Sequence, residues 1–194
     1  SPGLVLGLLL VLGTNWGLGF SLVKIAANAG VPAIGYACWM NAGAGLVLLA
    51  VALARGHVPP LDRTHLAYYL VTGVTALAIP SATMVIVVGR VPVGVMALIV
   101  TLSPIFTYGF SMVLRLEGFS ARNALGMALG LGGALLIVLP RASLPDPEMG
   151  WWVALGIVTP LFYAGSNIYI ALRRPEGVHS LALAAAMQLS AGAA

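Results

Sequence analysis

Apolar residues in this chain fall into seven long runs, at about 4–27, 32–54, 65–88, 93–114, 121–139, 151–171 and 179–194. The charged residues other than Lys24 collect in or beside the short connections between them. A helix needs about 20 mostly apolar residues to cross a bilayer. In hydrocarbon, every backbone N–H and C=O must find its partner inside the structure, so runs of this length predict helices. Membrane-barrel strands would be roughly half as long and would alternate in polarity, which these runs do not. The expected fold class is an all-α polytopic membrane protein, a bundle of transmembrane helices.

Composition strengthens this reading. Hydrophobic residues make up 60% of the chain and charged residues 7%, whereas soluble domains carry roughly 25% charged residues. The net charge of +4 is spread over single Lys and Arg residues without the basic stripe that phosphate binding requires. No nucleic-acid partner is expected; the lipid bilayer is. Cys38 is the lone cysteine, which excludes a disulfide framework and a thiolate cluster. His57, His65 and His179 stand at run edges without metal-ligand spacing, and no metal or cofactor is expected. Asp62, Asp146, Glu148 and Glu176 fall in connections and Glu117 at the end of a run. Mid-membrane therefore holds no carboxylate for proton or sodium coupling. The first run lacks a basic flank and is too long for a signal peptide. The chain opens on Ser1-Pro2-Gly3 and stops inside an apolar run, so a trimmed chain is expected.

Arginines mark the sides. Arg55, Arg63, Arg115, Arg122, Arg173 and Arg174 follow the second, fourth and sixth runs, whereas Arg90 and Arg141 follow the third and fifth. This bias obeys the positive-inside rule and predicts a cytoplasmic N-terminus in an inner (cytoplasmic) membrane. Sliding the chain by 147 positions lays the sixth run on the first and the seventh on the second. Gly30-Val31 then meets Gly177-Val178, Met40 meets Met187, Asn41 meets Gln188 and Ala44-Gly45 meets Ala191-Gly192. Five helices per unit is an odd number, so successive units must lie upside down, an inverted-repeat plan found in secondary transporters. The expected division is a first five-helix repeat over 1–140, a linker at 141–150 and the start of a second repeat over 151–194. Ten helices are expected in the full protein.

Polar residues inside the runs are the candidates for chemistry. Trp16, Phe20 and Lys24 share one helical stripe, with Asn15 and Gly19 beside it. An intramembrane amine faces a cavity or a partner, or snorkels to the interface; both readings stand for Lys24. Gly13 and Gly17 read as helix-packing notches, and Gly126, Gly130 and Gly133 as a close-packing face. The third run carries Tyr68, Thr72, Thr75 and Thr83 with Pro80. The fourth carries Thr101, Ser103, Pro104, Thr107, Tyr108 and Ser111, and the sixth Thr159, Pro160, Tyr163, Ser166 and Asn167. A hydroxyl in a helix ordinarily bonds a carbonyl one turn back. Three such helices, each with a proline that frees a carbonyl near mid-depth, predict a polar cavity at the repeat interface. The expected cavity residues are Asn15, Trp16, Lys24, Thr75, Ser103, Pro104, Tyr108, Tyr163 and Asn167, with Trp16, Tyr108 and Tyr163 lining one centre.

Trp16-Gly17-x-x-Phe20-x-x-x-Lys24, Val91-Pro92-x-Gly94 leading to Thr101-Leu102-Ser103-Pro104, and Glu117 followed by Ser120 and Gly126 together resemble the EamA-type family of drug/metabolite transporters. The resemblance covers residues 13–139. It implies ten helices in two inverted repeats and export or exchange of small organic metabolites or drugs through a central cavity. Trp16, Lys24 and the Pro104 region become cavity or gate residues by that resemblance. Asn41 stands where the family often carries an arginine on its second helix. The expected function is secondary transport by alternating access, with a small organic molecule as partner and a monomer as the full-length state. Two other classes remain: a non-transporting scaffold, which needs a dry centre, and an intramembrane serine hydrolase, which needs Ser166 within reach of His179.

Overall fold

A computed structural model describes residues 2–138 and 149–194. Among the described residues seven helical segments follow one another: α1 (Pro2–Asn28), α2 (Ala33–Ala54), α3 (Arg63–Val88), α4 (Val93–Val113), α5 (Ala121–Val138), α6 (Gly150–Arg173) and α7 (Ser180–Ala193). The described residues contain no strand. Five of these, α1 to α4 and α6, are long and apolar enough to cross a membrane. The expected linker, with Arg141, Asp146 and Glu148, lies outside the described residues.

Three helices are interrupted, each just ahead of a proline. In α3 the stretch Gly73–Ala78 widens into a π-helix before Pro80. In α4 the helix breaks into a turn at Thr101 and Leu102 before Pro104, and in α6 it breaks at Ile157 before Pro160. Proline has no N–H to give the carbonyl four residues back, and its ring crowds that carbonyl. The displaced turn forms where the bond is missing.

Helix ends obey local chemistry. Gly30 and Gly177 stand at equivalent places in the 147-residue offset and adopt φ +76° and +74°. Each precedes the start of a helix by three residues, so the hairpin turn is built the same way twice. Arg115 takes φ 57° and plays the same part after α4, where Leu116 N–H reaches Ser111 O at 2.8 Å. Such a left-handed residue lets the terminal carbonyls find donors.

The most extensive helix pair is α2 with α7. Its closeness depends on glycine. A Cβ on Gly45 would lie 2.8 Å from Leu189 N, and one on Gly192 would lie 2.7 Å from Ala42 N. These contacts run antiparallel, and Gly73 of α3 packs on α7 as closely, against Met187 O and Ser190 Cβ. A second packed region gathers Phe20 and Val23 of α1, Val85, Val87 and Val88 of α3, and Met96 and Ile99 of α4. Much of α1 stays uncovered, with Leu4 to Leu12 exposed.

Candidate functional site

A cavity of about 680 Å3 opens between α1, α4 and α5. Trp16 and Phe20 form its wall on α1, Thr101 and Pro104 on α4, and Met127 on α5. Gly13, Gly17, Gly126 and Gly130 also line it, and a Cβ built on any of them meets nothing within 4 Å. This corrects the packing expectation for these glycines. They leave space open, as does Gly133, whose Cβ would also meet nothing. The physical reason is that α5 makes its contacts with the first half of α4 and stands away from α1.

The cavity is apolar. Its one side-chain hydroxyl, on Thr101, donates to Leu98 O of its own helix at 2.6 Å. Thr72, Thr75 and Thr107 likewise donate to Tyr68, Val71 and Ser103 carbonyls. The one-turn-back reading therefore holds for all four threonines. Among the described residues, one hydroxyl donates to another across helices: Ser166 of α6 donates to Thr75 Oγ1 of α3 at 3.1 Å. Both line a second hollow of about 340 Å3, with Phe162 and Tyr169.

Trp16 lines the large cavity, whereas Tyr163, expected beside it, is among the lining residues of neither hollow. Its indole meets the Tyr163 ring edge-on, with centroids 6.4 Å apart and planes at 66°. Asn15 and Asn167 are exposed on their helices, and Ser103 is half-buried beside Pro104. Tyr108 is not a wall of the cavity. Its hydroxyl donates to Gly118 O at 3.2 Å and accepts from Ser120 N–H at 2.5 Å. The α4–α5 connection returns close to the last turns of α4 and captures the phenol. Nor does Lys24 enter the cavity: its ammonium sits on Val88 O at 2.7 Å and Val91 O at 3.4 Å. That places a cation at the C-terminus of α3, where the helix dipole favours it.

Several polar residues had no role expected of them. Asn41, buried, donates to Ala37 O at 2.8 Å and to Ser81 Oγ at 3.0 Å, tying α2 to α3. Its offset mate Gln188 has a buried Oε1 without a partner, as do the Tyr69 hydroxyl and Thr159 Oγ1. Arg90 lies over the Trp152 ring at 5.3 Å. The structure does not bring Ser166 and His179 together. Ser166 is engaged by Thr75, while His179 Nδ1 accepts from Leu181 N–H and its ring stacks on His57. The stacked pair was not legible in sequence, because the 147-residue offset does not align the two histidines. No group of three or more metal-ligating side chains occurs among the described residues.

The model of the EamA-like transporter family matches residues 2–139. The chain belongs to the EamA-like transporter family. It is 30% identical over 171 residues to the "uncharacterized inner membrane transporter YedA" of Escherichia coli K12. The YedA proteins of the O6:H1 and O157:H7 strains match to the same degree. The alignment covers 84% of this chain and 52% of each relative, so the chain spans about half the length of the curated relatives it matches. No solved structure matches. With its apolar helices, this family member is a multi-pass membrane protein.

Proposed function

We propose that the chain forms the substrate-handling first part of a secondary transporter for small, amphipathic organic molecules. The observation that carries this reading is the Trp16–Tyr163 pair at the edge of a cavity of about 680 Å3. A drug-sized ligand occupies a pocket of about 300–1,000 Å3, mostly apolar with a few placed polar groups. Family membership supports the same reading. Because Lys24 spends its charge on two carbonyls, the cavity on this side suits uncharged solutes.

We infer further that 1–140 is one repeat and 151–194 begins a second, inverted one. Support comes from reciprocity. Gly45 contacts Leu189, and their offset mates Gly192 and Ala42 contact each other, as a local two-fold axis requires. Alternating access then consists of one repeat rocking against the other. The two closely packed helices α2 and α7 are the contact about which it turns. The N-terminus is cytoplasmic in this reading, on the strength of the arginine bias.

The test is uptake by proteoliposomes holding the full-length protein, with a panel of neutral, anionic and cationic aromatic solutes of similar size. Uptake of a neutral member that Trp16→Ala lowers supports the reading. No uptake of any member, or uptake confined to inorganic ions, refutes it.

A further inference from the structure

A pair of histidines plays no part in the transport reading. It sits at the end of the bundle that carries Arg55, Arg63 and Arg174. The His57 and His179 rings stack with centroids 3.7 Å apart and planes 6° from parallel. Both are fixed by backbone. His57 follows Gly56, a left-handed residue with φ +76°, and its N–H reaches Ala52 O at 2.8 Å. His179 caps α7, its Nδ1 accepting from Leu181 N–H at 3.2 Å.

An accepting ring nitrogen carries no proton, so the cap uses the free lone pair of His179 Nδ1. A proton on Nδ1 would remove the cap and place a positive charge at a helix N-terminus, which already carries the positive end of the dipole. Two protonated rings would set like charges against each other across 3.7 Å and cost the cap as well.

The hollow around the pair, about 210 Å3, is lined otherwise by Gly56, Val58, Pro60, Gly177, Val178 and Ala182, none of them titratable. Charges near the pair in the chain are Arg55, Glu176 and Arg174, the last donating to Ser180 Oγ at 2.7 Å. Asp62, further along, is engaged by His65. The two arginines add positive charge to this end of the bundle, and Glu176 offsets part of it. Histidine charge changes between pH 5 and 8, so a stacked pair converts that change into separation.

We propose that His57 and His179 form a proton-binding latch. It is closed when at most one proton is bound and opened by the second, and it ties the α2–α3 connection to the α6–α7 connection. The described helices hold no mid-membrane carboxylate, and this pair gives the molecule a site at which protons act on α2 and α7 directly.

The test uses the full-length protein in nanodiscs with spin labels at positions 58 and 178, Cys38 having been replaced by Ala. One short distance is expected at pH 8, and a longer, dominant population at pH 5. In His179→Asn the amide oxygen still accepts from Leu181 N–H but does not titrate, so the distance distribution, with or without the stack, should be the same at both pH values. Unchanged distances in the parent protein between pH 8 and 5 would overturn the proposal. So would the same opening in His179→Asn. The readout needs no substrate, so its failure is distinct from a failure of the transport reading.

Discussion

Trp16 and Tyr163 meet edge to face at 6.4 Å, and they are also the residues that a shift of 147 positions lays on each other. Trp16 faces the large cavity on one side and Tyr163 on the other. Trp16→Ala should weaken binding of an aromatic solute by about 1–3 kcal/mol, the usual effect of losing an aromatic contact that a bound partner covers. Protein level and membrane insertion should stay normal. Equilibrium binding to purified protein checks this, and parent-like affinity in both Trp16→Ala and Tyr163→Ala would remove the pair from the site.

Lys24 is expected to matter for stability rather than for substrate charge. Its ammonium holds two carbonyls at the turn between α3 and α4. Lys24→Met leaves them without that partner and should cost about 1.5–3 kcal/mol, the range for hydrogen bonds to charged groups. Lys24→Arg should keep most of this. Thermal unfolding in detergent gives the answer. A Lys24→Met protein as stable as the parent but unable to bind solute would contradict the assignment.

Asp62 makes the N-terminus of α3 acid-sensitive. Its carboxylate accepts from His65 and Thr64 N–H at 3.2 and 3.0 Å. The backbone bond from His65 is the largest influence holding its pKa below the ordinary 3.8, with the His65 ring adding to it. A depressed folded-state pKa contributes stability that is present above the unfolded value and is lost as pH falls through the folded one. The melting temperature should therefore fall below about pH 4. In Asp62→Asn, which caps without titrating, this part of the fall should disappear. An identical pH profile in that variant would refute the link.

Much of the fold could be read from the chain. The runs at 32–54, 65–88 and 93–114 are Ala33–Ala54, Arg63–Val88 and Val93–Val113 in the structure, because hydrocarbon leaves the backbone no alternative to a helix. Pro80, Pro104 and Pro160 announced their own interruptions, since the missing donor is a local matter. What stayed hidden depends on neighbours. Gly17 and Gly192 look alike in sequence, yet one faces open space and the other a backbone 2.7 Å away. Periodicity assigns Lys24 to a stripe, and Tyr108 stands out only as a polar residue of its run; neither signal says anything of the connections that capture their polar ends. The His57–His179 stack has no local signal at all.

The contrast between glycines gives the last prediction. At Gly192 a new Cβ would strike Ala42 N, Cα and Cβ at 2.7–2.8 Å, and at Gly45 it would strike Leu189 N at 2.8 Å. Backbone cannot swing aside as a side-chain tip can, so α2 and α7 must separate. Overpacking of this kind costs about 1–3 kcal/mol, and Gly192→Ala or Gly45→Ala should each lower stability in that range. The two sites lie about one turn apart along one seam. Once the helices have parted for the first methyl group, the second finds room already made. Gly45→Ala/Gly192→Ala should therefore cost clearly less than the sum of the singles, a coupling of the kind found between residues sharing one contact. Gly130→Ala is the control, since its Cβ meets nothing within 4 Å. It should be neutral or gain up to about 1 kcal/mol from the better helix propensity of alanine. Strict additivity of the two single effects, or a Gly130→Ala loss as large as that of Gly192→Ala, would mean that α2 and α7 are not held together in this register.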